Sequence, residues 1–212
     1  AVASASVVLN AISPPSLNGD FTNQTQLLAN SQCMRNVIVP PDMSFREKDS
    51  GSGVAKEDEA MVQKFFSISS WSRMKQETSL AQALQYLSKH GTTLDKARRY
   101  YECYGVPARV VYAAEITREK FVTDVELAAR SQKKFIVVDF KRSSVGMAGH
   151  AHFSPIAALS QSSEEGESLM LVLDVARMRY PPYWLSSKKL FQAMNTTDNE
   201  TGQSRGYLIV GE

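Results

Sequence analysis

The character of the chain changes at Pro107. Upstream, apolar residues recur at helical spacing between caps and glycines, and downstream the segments 109–112 and 134–140 are dense in β-branched and aromatic residues. Further strand candidates follow at 153–159, 169–175 and 206–210, separated by turn-rich stretches such as 160–167, with a helical stretch at 117–130 inside the series. Helices first and a mostly antiparallel sheet second predict an α+β fold in one domain of 212 residues, a helical lobe over 1–106 and a β lobe over 107–212.

The helical half divides at its punctuation. Residues 1–11 are small and apolar on every side, which suits a helix buried within a domain, and Ser13-Pro14-Pro15 stops it. A second helix begins at Ser79, which has capping-box spacing to Gln82, presents Leu80, Leu84 and Leu87 on one face and closes at Gly91. A third begins with Thr92 and Asp95, repeats Leu94, Ala97, Tyr101 and Tyr104, and ends at Gly105, with Cys103 in its last turn. The charged, Gly- and Ser-bearing stretch 44–60 has little to bury and reads as a flexible insertion.

Bulk properties narrow the function classes. Twenty-four basic against 22 acidic residues give a formal charge of +2, too little for a nucleic-acid footprint, and no apolar run is long enough to span a membrane. The absence of a starting Met, with helical patterning already under way at Ala1, predicts further chain upstream. Two cysteines, Cys33 and Cys103, make neither a disulfide framework nor a zinc site, and a reducing, cytoplasmic setting is expected.

Chemistry-bearing residues gather in the second half. Of three histidines, His150 and His152 stand at the mouth of a strand candidate, and Asp174 ends the next one, followed by Arg177 and Arg179. Neighbouring antiparallel strands would bring His152 beside Asp174, where a carboxylate on one ring nitrogen frees the other to take a proton from a thiol or hydroxyl. The same two residues would equally serve as a satisfied structural histidine and a turn carboxylate. His150, alternating with His152, faces the other way, and His90 lies at a helix end. Tyr180-Pro181-Pro182-Tyr183-Trp184 reads as a rigid aromatic corner.

Four stretches in order, V-A-S-A-S-V-V-L-N-A at 2–11, H-F-S-P-I-A-A at 152–158, L-D-V-A-R-M-R-Y-P-P at 173–182, and A-M-N-T-T-D followed by S-R-G-Y within 193–207, resemble the phytochelatin synthases. The resemblance implies a papain-like cysteine transpeptidase fold and acyl transfer on glutathione. His152 then resembles the catalytic base and Asp174 the acid that orients it, while the nucleophilic cysteine aligns immediately before Ala1, at the head of the first helix.

Asp198 and Arg205 resemble the acidic and basic positions that hold the γ-glutamyl unit. Arg177, and with it Arg179, adds charge for the carboxylates of a glutathione, or else pairs with an acid to hold the sheet. Metal enters by resemblance as cadmium or zinc on glutathione thiolates or as an activator, with no tightly bound cofactor and no protein metal site. A homodimer is a further expectation of the family. Two alternatives stay open: a glutathione hydrolase that passes the acyl group to water, and a non-catalytic binder of glutathione or metal thiolates should the upstream residue not be cysteine.

Overall fold

The computed structural model describes residues 1–17, 23–39, 79–161, 167–176 and 179–212. The expected insertion at 44–60 and the candidate Arg177 lie outside them. The chain divides into two compact units, residues 1–27 with 92–212, and residues 28–91.

In the larger unit, α1 (Val2–Ile12) buries Val2, Ala5, Val8 and Leu9, and Ser13 ends it in a left-handed conformation at φ 48°. Helix α2 (Gln24–Asn30) straddles the boundary between the units, and α3 (Gln32–Ile38) and α4 (Leu80–His90) belong to the smaller one. The Ser79–Gln82 capping box of α4 forms in both directions, as its spacing predicts. The buried face of α4 is Leu80, Ala83 and Tyr86, not the expected leucine row, and Leu84 is 39% exposed. Leu84 stands four positions past Leu80, but this unit covers the three-residue ridge.

Helix α5 (Leu94–Glu102) corrects its predicted start. Thr93 caps it by accepting from the Lys96 amide, while the Thr92 hydroxyl is bonded to the Tyr100 hydroxyl at 2.6 Å. Leu94, Ala97, Tyr100 and Tyr101 are buried, and Gly105 leaves at φ 72°.

Six strands follow the order β1 (Ala108–Tyr112), β2 (Phe135–Lys141), β3 (Ala151–Gln161), β4 (Ser168–Val172), β5 (Tyr183–Ser186) and β6 (Gly206–Val210). They form one antiparallel sheet in the spatial order β1-β6-β2-β3-β4-β5. The fold is α+β, as expected. Tyr183 and Trp184, read from sequence as part of a corner, lie in edge strand β5 and lead into α7 (Ser187–Met194), an element the sequence reading did not contain.

Helices α6 (Arg118–Ala129) and α7 pack on the sheet over a core of Phe121, Val138, Phe140, Met170, Leu190 and Tyr207. Helix α1 runs against β3 and α5, and α5 against β1 and β6. Gly206 is required where three strands meet: any Cβ there would stand 2.0 Å from the Val111 carbonyl oxygen. No helix among the described residues is long and apolar enough to cross a membrane.

Candidate active site

His152 and Asp174 come together because β3 and β4 are antiparallel neighbours. Their pairing continues one residue past β4, where the Leu173 amide donates to the Pro155 carbonyl at 2.9 Å, and Asp174 is the next residue. His152 Nε2 then lies 3.3 Å from Asp174 Oδ1, with the His152 side chain 21% exposed and the Asp174 side chain wholly buried. The contact is close without hydrogen-bond alignment. Because Asp174 stands on the Nε2 side, Nδ1 is the nitrogen left for proton transfer.

Asp174 is held on every side. Its Oδ1 accepts from Arg142 Nη2 at 2.5 Å and from the Ala176 amide at 2.9 Å, and Oδ2 accepts from the Tyr183 hydroxyl at 3.3 Å. Burial pushes the Asp174 carboxyl up, but Arg142, the Ala176 amide and His152 outweigh it and hold the group below its usual value. His152 moves the same way for a different reason. Burial first, then Arg142, bring the imidazole down to about 4 against the opposing pull of Asp174. At neutral pH the site therefore holds an ionised acid beside an unprotonated ring, the state a general base requires.

Arg142, in the turn that follows β2, is itself fixed. Its guanidinium sits 5.0 Å from the centre of the Tyr180 ring, whose hydroxyl donates to the Ala148 carbonyl at 2.9 Å. Arg142 was no candidate in the sequence and Tyr183 was read only as part of an aromatic corner, since an arginine after a strand and a tyrosine after two prolines carry no spacing signal for a site.

The head of α1 borders the same cluster. Ser4 donates to the Phe153 carbonyl at 2.6 Å, tying the first turn of α1 to the residue next to His152. Ala1, which precedes that turn, is half-buried.

The residues expected to meet the γ-glutamyl unit take different places. Arg205, 8% exposed, donates through Nη1 to the Thr196 carbonyl and hydroxyl at 3.3 and 3.2 Å and to the Thr197 carbonyl, and its Nε lies 3.9 Å from Asp139 Oδ2. Asp198 instead organises its own turn, accepting from the Glu200 amide at 3.1 Å and the Thr201 hydroxyl at 3.3 Å. Arg179 lies in the turn after Asp174, its amide donating to the Ala176 carbonyl.

Asp139, in the middle of an apolar strand, is 3% exposed. Burial pushes it up to about 7, with Arg205 opposing and Asp198 reinforcing. A lone acid inside the run Phe135–Lys141 was a legible signal of a buried charge.

The other candidates stand apart. His150 is exposed and precedes β3, and His90 stacks on Tyr86 with ring centres 4.4 Å apart. Neither Cys33 nor Cys103 is a free thiol, so neither offers a nucleophile, and both being disulfide-bonded runs against the reducing setting expected from their number. No three His, Cys, Asp or Glu side chains among the described residues stand together as a metal site would require.

The phytochelatin synthase family profile matches residues 58–207, more than half of the chain. The chain belongs to the phytochelatin synthase family. The matched stretch contains Asp139, Arg142, His152, Asp174, Asp198 and Arg205, and leaves α1 outside it. The glutathione gamma-glutamylcysteinyltransferase of Schizosaccharomyces pombe (strain 972 / ATCC 24843) is 30% identical over 128 residues, 60% of this chain and 30% of the relative. Glutathione gamma-glutamylcysteinyltransferase 3 of Lotus japonicus is 32% identical over 129 residues, 61% and 26% of the two chains. Glutathione gamma-glutamylcysteinyltransferase 1 of Triticum aestivum is 33% identical over 127 residues, 60% and 25%. The aligned part is thus less than a third of each curated relative's length.

Proposed function

We propose that the protein containing this chain is a glutathione γ-glutamylcysteinyltransferase that makes phytochelatins by a papain-like thiol mechanism. The reading is carried by one observation: the buried carboxylate of Asp174 stands 3.3 Å from His152 Nε2, on a strand tied by Ser4 to the first turn of α1. Membership of the family and the names of its relatives add glutathione as the substrate.

In this mechanism a cysteine preceding Ala1 supplies the sulfur. Its position at a helix N-terminus favours the thiolate, and His152 Nδ1 takes the thiol proton while Asp174 steadies the imidazolium. The thiolate attacks the carbonyl carbon of the Cys-Gly amide of glutathione. The C–N bond breaks, the glycine nitrogen leaves with the proton from His152, and a γ-Glu-Cys thioester remains on the enzyme. The α-amino group of a second glutathione then attacks the thioester, giving its proton to His152 and forming the new peptide bond as the sulfur leaves.

Arg205 and Asp198 are proposed to receive the γ-glutamyl unit, and Arg177 to draw in the carboxylates of glutathione or of its cadmium or zinc thiolates, which enter as substrate. A cytoplasmic setting, where the glutathione pool that serves as substrate resides, is the proposed location. The test is chromatography of products from the full-length protein with glutathione and cadmium. Oligomers of γ-Glu-Cys ending in glycine are expected, and γ-Glu-Cys and glycine alone would replace the synthase reading with a hydrolase.

A further inference from the structure

One buried hydroxyl beside the His152–Asp174 pair is left unmet by the fold. Ser154 is 0% exposed, and its Oγ has no hydrogen-bond partner among the described residues. Its partner across β2 is Val138, which has no polar side-chain atom to offer. An orphaned hydroxyl in the interior destabilises a protein, and its survival in a candidate site calls for a reason.

The sheet sets Ser154 beside Asp174. Ile156 pairs with Val172 and the Leu173 amide donates to the Pro155 carbonyl, so the ladder carried one step further brings Ser154 opposite Asp174. That step is a non-hydrogen-bonded pair, the kind in which opposed side chains approach most closely, with Cα atoms about 4.5 Å apart. The face is shared as well: Ser154 and His152 pair with the core residues Val138 and Phe140, and Asp174 follows the core residue Val172 by two positions. Asp174 has capacity for a further donor on one oxygen. Oδ1 accepts from Arg142 and the Ala176 amide, whereas Oδ2 has the Tyr183 hydroxyl at 3.3 Å, long for a bond between two oxygens.

Resting on the function proposed above, we infer that Ser154 is a positioning residue for the reaction: its hydroxyl, unpartnered at rest, donates to Asp174 Oδ2 when His152 is charged and holds the carboxylate turned toward the imidazolium. Once His152 has taken the thiol proton, Nε2 must align on Oδ1 for Asp174 to steady it, and the carboxylate must turn to meet the ring. A serine hydroxyl swings between staggered wells about χ1 without moving its strand, so it can follow that turn. The hydroxyl then destabilises the resting fold and stabilises the charged one, and only such a difference between states speeds a chemical step.

Ser154→Ala in the full-length protein separates this role from a packing one. Because the variant removes an orphaned hydroxyl, its thermal midpoint at neutral pH is expected to equal or exceed that of wild type, while kcat for glycine release falls about 10-fold with KM unchanged. The His152 titration, followed by ring-proton NMR without glutathione, is expected to move further down from about 4, since the charged ring loses a contact the neutral one never had. An unmoved titration would overturn the inference, as would a kcat equal to wild type. A lowered thermal midpoint would overturn it too, by showing the hydroxyl already bonded at rest. If wild type itself releases no glycine, the synthase reading falls and the titration alone decides the part played by Ser154.

Discussion

Arg142 Nη2 donates to Oδ1 of Asp174 at 2.5 Å, and His152 Nε2 lies 3.3 Å from the same oxygen without being aligned to donate to it. The arginine holds the better position, so the carboxylate is neutralised mainly by Arg142, and the imidazole is left uncharged. Arg142 is accordingly a positioning residue for the proposed base. A lowered His pKa keeps the ring ready to accept a proton and limits how firmly it holds one, which suits a group that must return that proton to a leaving amine.

Replacing Arg142 with Met removes both the repulsion and the competition. The His152 titration, followed by ring-proton NMR, is expected to move upward from about 4, and the acid limb of glycine release to move with it. A lower turnover with an unmoved titration would assign Arg142 a structural role only.

Stability should carry two opposed pH slopes. His152 falls from the usual 6.5 to about 4 on folding, so the unfolded chain binds more protons between those values and stability is lost as pH falls through that window. Asp139 rises from 3.8 to about 7, so the folded chain binds more protons and stability is lost as pH rises through that window. Thermal midpoints between pH 4 and 7, measured on protein in which Ala1 has no free amine, should climb with pH more steeply in D139N than in wild type. In H152Q they should decline. Parallel profiles for all three proteins would contradict both assignments.

Gly206→Ala drives a methyl group to 2.0 Å from a backbone oxygen that β1 cannot move without losing its pairing with β6. Urea unfolding should show a loss of roughly 3 kcal/mol, and a loss under 1 kcal/mol would mean that the strands separate more easily than this register allows.

Ser4→Ala removes the 2.6 Å bond between α1 and the Phe153 carbonyl and leaves that oxygen buried. About 1–2 kcal/mol of stability should go with it, and glycine release should fall further than the stability loss explains, because the head of α1 is no longer tied to the strand that carries His152. Equal activity at equal protein would separate α1 from the site.

Much of this was legible from residue patterns, and the omissions have physical causes. The α4 capping box, the strand periods and the His152–Asp174 approach follow from local spacing and antiparallel pairing. Strand β5 was hidden because four residues after two prolines are too few for a period, and its partner β4 defines it only in three dimensions. Arg142 acts across 32 residues on Asp174, and the Asp139–Arg205 contact joins residues on β2 and at the start of β6. Such pairings have no sequence spacing to read. The helix α5 start moved by one residue because Thr92 found a tertiary partner in Tyr100, leaving the cap to Thr93.

The most direct measurement is the intact mass of the full-length protein quenched after mixing with glutathione, followed by peptide mapping of the head of α1. The account predicts a gain of one γ-Glu-Cys acyl unit on a cysteine immediately before Ala1 in wild type, and no gain in H152A. An acyl unit on any other residue, or equal labelling without His152, would contradict it.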